Sequence, residues 1–465
     1  MEHDGGIRLI QVELQDFMNI GYGKIQFPCA IKLNEAMEHG DILGIYGQNG
    51  SGKSAFIHSL MVLKKCLSGV QLPDYATEYV AYGKESSNLY FQFISDINGK
   101  MIEIYYELTL STYYNEEEDK KNAFISQESI HYRLDGRRKT VLMASSIIGL
   151  RPKKIVEAIK KANPDIDGDI EIRVAKGIVN RQCKSFLFSR ELLKLMPVNA
   201  SDDEYIIYNH QITALLQRYG RELLYVMGTE DIGLINLSLL QPFHFHIQNS
   251  RQASLGTLAI PINRSQVFFE REFSIVTKFI SDVNIVLAYL IPDLQIELRN
   301  LGKELDDKGN SVIRSELVSI RDNKVIPIRF ESEGIKKILS ILHVFIGAYN
   351  NPSMTIAIDE LDSGIYEYLF GEILSVFCEA GKGQLIFTSH NLRPLEVLDK
   401  KSIVFTTTNP ENRYIRLTNV KPNNNLRDFY YRVIQLGGEK ERLYEETDRY
   451  ELDLALRKAG RHGEK

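Results

Sequence analysis

Cysteine is scarce in this chain. Four cysteines in 465 residues, Cys29, Cys66, Cys183 and Cys378, stand far apart without a C-x-x-C pair. That spacing excludes a disulfide framework and a paired-cysteine zinc site, and it fits thiols in a reducing cytoplasm. An excess of positive charge is also missing. Lys plus Arg number 56 against 61 Asp plus Glu, a formal charge of −5, so any contact with nucleic acid must come from a local patch. No run of about 18 apolar residues is present, so no membrane-spanning segment and no membrane partner are expected. The start, Met1-Glu2-His3-Asp4-Gly5-Gly6, lacks the basic-then-apolar order of a secretory signal. There is no internal repeat, and no sustained heptads predict a coiled-coil arm. What remains is an ordinary folded composition, 44% apolar and 25% charged. At this length it implies one large domain with an insertion, or two to three domains.

The order of patterns predicts an α/β protein. Ile7 to Leu14, Lys24 to Phe27 and Cys29 to Leu33 alternate like strands. Ile42-Leu43-Gly44-Ile45-Tyr46 is a continuous apolar run, the mark of a strand buried on both faces, and Ser54 to Leu67 has helical apolar spacing. Residues 1–87 thus read as the first part of an α/β head domain. Residues 88–142 read as an antiparallel β lobe, with hairpin turns at Asn98-Gly99 and Asp135-Gly136 and a solvated tip at 116–121. Residues 143–292 read as a mostly helical insertion, with loops at prolines such as Pro197 and its clearest helix at Phe268 to Leu290. Residues 293–465 return to strands and helices, including buried strands at Thr355 to Ile358 and Gln384 to Thr388.

One motif is specific. Gly47-Gln48-Asn49-Gly50-Ser51-Gly52-Lys53-Ser54 fits G-x-x-x-x-G-K-[ST], with a buried strand before it and a helix after. Glycines let the main chain wrap phosphate oxygens and turn its N–H groups inward, and the helix N-terminus adds positive potential. Gly47, Asn49, Gly50, Ser51, Gly52, Lys53 and Ser54 are therefore the expected cradle. Lys53 is expected to reach the β- and γ-phosphates of ATP, and Ser54 to ligate Mg²⁺. Asp359-Glu360 closes the strand Thr355 to Ile358. Ligands of open parallel sheets sit at such C-terminal strand ends. Asp359 is expected to hold Mg²⁺ through water, and Glu360 to activate the attacking water.

Two weaker elements complete the set. Ser389-His390 follows the strand Gln384 to Thr388, and His390 is placed to donate to a γ-phosphate or is simply a loop histidine. Ser332 and Gly334 open a helix, as an anion contact or as an ordinary N-cap.

Taken in order, these elements resemble the head of SMC-like and OLD-like ABC-type ATPases of bacterial DNA repair and anti-phage defence, of the PARIS, Septu and retron-associated kind. Glu331-Ser332-Glu333-Gly334-Ile335-Lys336-Lys337 resembles the signature of that family, Asp359 to Tyr366 its Walker B and D-loop, and Thr388-Ser389-His390-Asn391 its switch histidine. Leu14-Gln15-Asp16-Phe17-Met18-Asn19 resembles its opening strand and Phe-x-Asn turn. The resemblance covers residues 7–68 and 325–407. It implies an ABC-type P-loop head with a mixed central sheet, an antiparallel β lobe and an inserted helical lobe. It implies ATP and Mg²⁺ as cofactors, and a homodimer or higher homo-oligomer in which Ser332 and Gly334 act on nucleotide bound by a second copy. Tyr366 stands where relatives often carry histidine, no glutamine is evident for the Q-loop beyond the hairpin residue Gln92, and no nuclease module is expected after His390.

Two functions stay open. One is an ATP-driven sensor or scaffold controlling a separate effector, a nuclease or toxin, in response to nucleic acid or a phage-encoded trigger. The other is a DNA-repair ATPase acting directly on DNA ends or gaps. Nine basic residues between Arg133 and Lys161 face only Asp135 and Glu157, either as a phosphate-binding patch or as a solvated face. The tail segment Asn423 to Arg432 mixes aromatics with arginines, suited to base stacking or to core packing.

Overall fold

The computed structural model describes residues 6–31, 37–116, 119–134, 136–146, 149–165, 167–196, 203–236, 240–249, 252–417, 425–437 and 440–460. Pro197, Asp135 and the first two asparagines of the 423–432 tail lie outside these residues.

The fold is mixed α/β. Its central sheet has six strands in the order Tyr414–Ile415, Ile403–Thr406, Asp41–Tyr46, Gln384–Thr388, Thr355–Ile358, Leu224–Met227. Five run parallel, and Tyr414–Ile415 is antiparallel. All positions of the five parallel strands are buried, as expected when both faces are covered. The three strands that end in Gly47, Ser389 and Asp359 are immediate neighbours. Their C-terminal ends therefore share one edge, where the site forms.

A seven-stranded antiparallel sheet covers the helix Lys53–Leu67. Its order is Ile20–Gln26, Ile7–Phe17, Ser86–Ile97, Lys100–Asn115, Lys120–Leu134, Thr140–Ser146, Gly149–Arg151. Phe91, Phe93, Ile104 and Tyr106 of this sheet share one core with Phe56, Leu60 and Leu63 of the helix. Asn98 and Gly99, both at positive φ, make the two-residue hairpin turn. At the sheet junction the fully buried Arg8 donates to the carbonyls of Pro352, His39 and Lys382. Gln384 exchanges hydrogen bonds with both Leu9 N–H (3.1 Å) and Leu9 O (2.8 Å). The buried charge is thus fully partnered, and the two sheets are locked in register.

Several expectations are corrected. The β lobe read as 88–142 is part of a larger sheet, since Ile7–Phe17 pairs with Ser86–Ile97 across the boundary drawn at residue 87. The segment 143–292 is not simply helical. It carries the edge strand Leu224–Met227 of the central sheet, the hairpin Leu240–Asn249 with Gln252–Pro261, and Gln266–Phe269. A four-residue apolar run has no periodicity of its own, and its partner Thr355–Ile358 lies far along the chain. Pro28–Ile31 is a 3₁₀ turn where a strand was expected, because proline fixes φ and offers no N–H to a ladder. The remainder of that expected strand, Lys32 and Leu33, lies outside the described residues.

The helix Glu270–Leu290 is long and apolar enough in composition to cross a membrane, which a count of unbroken apolar residues misses. Here it buries Val276, Phe279, Ile280, Val283 and Leu287 and packs on the strands Gln295–Leu305 and Ser311–Arg321 and the helix Glu333–Asn350. The tail forms the helix Leu426–Leu436, capped by Asn425. Its Tyr430 stacks on Phe405 at 4.8 Å, so core packing accounts for that aromatic residue.

Candidate functional site

The glycine-rich turn takes the shape its residues dictate. Gly47, Gly50 and Gly52 have φ of 155°, 76° and 95°, values that side chains resist. A Cβ on Gly47 would sit 1.7 Å from Thr406 Oγ1. Ser51 Oγ donates to Gln48 O at 2.6 Å and pairs with the Thr406 hydroxyl. Lys53 folds back over the loop, its ammonium donating to Gly47 O (2.9 Å) and Gln48 O (3.0 Å). Burial lowers its pKa, opposed by Asp359, Glu360 and Asp362.

The second wall comes from the neighbouring strands. Asp359 is buried, and Thr388 Oγ1 donates to its Oδ1. The same hydroxyl accepts the Glu360 N–H at 2.7 Å. The main-chain N–H groups of His390 (3.2 Å) and Asn391 (2.9 Å) both donate to Asp362 Oδ2, which fixes the loop that carries the histidine.

A cavity of about 740 Å³ brings these walls together. Asn49, Gly50, Gly52, Lys53 and Ser54 line one side, and Asp359, Glu360 and His390 the other. Gly47 and Ser51 shape the loop without lining the cavity. The far rim comes from the segment 77–83 and from Lys121 on the long hairpin. A hydroxyl and a buried carboxylate, Ser54 and Asp359, are hard oxygen donors of the kind Mg²⁺ takes together with water.

Ser332 and Gly334 do not line this cavity. Ser332 is an N-cap, its Oγ accepting the Ile335 N–H at 3.3 Å. Gly334 has an internal reason to be glycine, since a Cβ there would lie 2.0 Å from Gly364 O. From the same helix, buried Lys337 donates to the main-chain carbonyl of Glu360. Burial lowers the Lys337 pKa to about 8, against the pull of Asp362, Glu360 and Asp359.

Groups outside the glycine-rich motif brace the loop. Asn19 Nδ2 donates to Gly50 O at 2.5 Å, so the Phe-x-Asn turn holds the glycine-rich loop directly. Tyr414 OH donates to Gly52 O at 2.8 Å, and Arg413 to Asn19 O at 2.7 Å. The Glu445 N–H reaches Gln48 Oε1 at 2.7 Å. The contacts from Arg413, Tyr414 and Glu445 span most of the chain and leave no local sequence signal. Gln92 lies elsewhere, donating to Glu103 Oε2 at 2.9 Å. Tyr366 is exposed and tilts against Tyr368.

The basic segment is partly neutralised. Arg133 pairs with Glu103, Lys139 with Glu107, Lys154 with Asp203 and Lys160 with Asp169. Arg137 and Arg138 line a second cavity of about 360 Å³, beside Tyr132, Tyr205 and Tyr208.

No family model matches this chain, and no curated protein does. Among solved structures, the chain is similar to the SMC head bound to the C-winged helix domain of ScpA. Identity is 13%, coverage is 88% of this chain and 98% of that chain, and the TM-score is 0.41. It is similar to the SMC head domain from Thermotoga maritima at 15% identity, covering 88% and 99%, with a TM-score of 0.34. It is also similar to the recombination mediator protein RecF with ATP, at 12% identity, covering 83% and 94%, with a TM-score of 0.34.

Proposed function

We propose that this chain is an ABC-type ATPase that binds ATP with Mg²⁺, hydrolyses it, and uses the cycle to switch a separate effector protein. The observation that carries the reading is the single cavity shared by the glycine-rich loop and the Asp359-Glu360 pair. The loop N–H groups and the helix N-terminus bind the phosphates. Lys53 exchanges its two loop carbonyls for phosphate oxygens. Ser54 and Asp359 would hold Mg²⁺, which would supply positive charge to offset that of the phosphates. Glu360 takes a proton from the attacking water, and His390 donates to the γ-phosphate. Closure is completed by a second copy, whose Ser332-x-Gly334 helix start supplies the remaining anion contact. A homodimer or higher homo-oligomer of this chain is therefore the working form. Its large antiparallel sheet and helices dock the effector, a nuclease or toxin, and a nucleic-acid or phage-encoded trigger in anti-phage defence.

The test is to purify the chain and follow phosphate release from ATP with Mg²⁺, alongside plasmid, linear DNA and RNA. Release that vanishes in Lys53→Ala, with every nucleic acid left intact, is the expected result. Cleavage that survives Glu360→Gln contradicts the switch reading.

A second reading, an ATPase acting directly on DNA ends or gaps, is favoured by Arg137 and Arg138 beside three tyrosines. DNA binding that weakens with salt and with Arg137→Ala supports it.

A further inference from the structure

Glu360 stands in an unusual backbone state, and both of its main-chain polar groups are held there. Its φ is 46°, the left-handed region that L residues other than glycine, asparagine and aspartate seldom enter. The Glu360 N–H is held by Thr388 Oγ1 at 2.7 Å, and Thr388 is itself fixed on Asp359. The Glu360 carbonyl is held by the Lys337 ammonium.

Lys337 has little freedom to be anywhere else. Its residue is 1% exposed. The helix that carries it is capped by Ser332 and seated by Gly334 against the Gly364 carbonyl, in the loop that follows Glu360. A lysine acting only as counter-ion to Asp359, Glu360 or Asp362 gains most from a carboxylate oxygen. Here it donates instead to a peptide oxygen, which leaves the Asp359 and Glu360 side chains on the cavity wall.

We propose that Lys337 is a positioning residue for Glu360. By holding the Glu360 carbonyl, it keeps the left-handed turn in place and the carboxylate aimed into the cavity. Without it, the peptide relaxes toward the right-handed region and withdraws the carboxylate. This rests on the reading of Glu360 as the group that activates water.

The experiment compares wild type, Lys337→Met, Glu360→Gln and the double variant, with kcat and KM for ATP, binding of a fluorescent ATP analogue, and thermal melting. Lys337→Met keeps the stem and removes the donor. It is expected to lower kcat about tenfold or more, as small displacements of a reacting group do, with KM and nucleotide affinity within about twofold. In the Glu360→Gln background the same change is expected to cost nothing further, because the group it positions is gone. If Lys337→Met fails to melt cooperatively, Lys337→Gln replaces it; its shorter stem withdraws the donor, and the same split is expected. A kcat within twofold of wild type, or a loss that adds in full to that of Glu360→Gln, overturns the proposal. A wild type without Lys53-dependent ATP turnover overturns the underlying reading of the site instead.

Discussion

The two walls of the cavity are built in opposite ways. The glycine-rich wall comes from one short turn, Asn49 to Ser54, and the shape of its loop is mostly main chain: glycines at positive φ and a lysine resting on its own loop carbonyls. The carboxylate wall is assembled from two strand ends and a helix. Thr388 contacts Asp359 and the Glu360 N–H, Lys337 the Glu360 carbonyl, and Asp362 the loop that carries His390. The turn is contiguous in sequence, with Asn19, Thr406 and Tyr414 bracing it from outside. A composite wall needs the whole central sheet in register. Damage to the first should therefore appear in nucleotide binding, and damage to the second in turnover.

The largest effect expected is on the glycine-rich wall. Lys53→Ala should lose detectable binding of a fluorescent ATP analogue, while its melting temperature stays close to that of wild type. Glu360→Gln should invert that pattern. Binding persists, and steady-state phosphate release falls by a factor on the order of 10² or more. A Glu360→Gln protein that turns over normally breaks the division of labour between the walls.

Thr388→Val is intermediate and sharpens the comparison. It removes the donor to Asp359 and the acceptor of the Glu360 N–H. Leaving such buried groups unpaired costs about 1–3 kcal/mol, read as a lower melting temperature, and turnover should fall about tenfold by displacing the reacting group. Mixing Lys53→Ala with Ser332→Arg addresses the helix start outside the cavity. Neither should hydrolyse ATP alone, and the mixture should regain part of the activity through one intact hybrid site. No recovery, with subunit exchange verified, leaves Ser332 as the N-cap seen in the single chain. The smallest effect belongs to Asn19→Ala. It removes one side-chain hydrogen bond to the loop, worth about 0.5–1.5 kcal/mol, and should weaken ATP binding by a few-fold at most.

The same contrast explains what the sequence disclosed. The glycine-rich loop and its flanking strand and helix are written in consecutive residues, so their geometry could be anticipated. The Asp359-Glu360 pair is visible at a strand end, whereas the sequence shows Thr388 only as a strand end opening the switch-histidine motif and Lys337 only as a signature lysine. Their roles exist because Gln384–Thr388 lies beside Thr355–Ile358 and because Gly334 seats its helix on Gly364. Leu224–Met227 escaped notice for a related reason, since an apolar four-residue run acquires its identity as an edge strand only from a distant partner. The basic segment illustrates the converse. Nine charges looked like one patch, whereas Glu103, Glu107, Asp203 and Asp169 meet four of them in space.

The most direct measurement is an experimental structure of Glu360→Gln solved with ATP and Mg²⁺. The account predicts density for the triphosphate along residues 47–54, with Lys53 moved from its loop carbonyls onto phosphate oxygens and Mg²⁺ between Ser54 and Asp359. Nucleotide bound elsewhere in the chain, or a cavity that stays empty at saturating ATP while Lys53 keeps its contacts to Gly47 and Gln48, contradicts it.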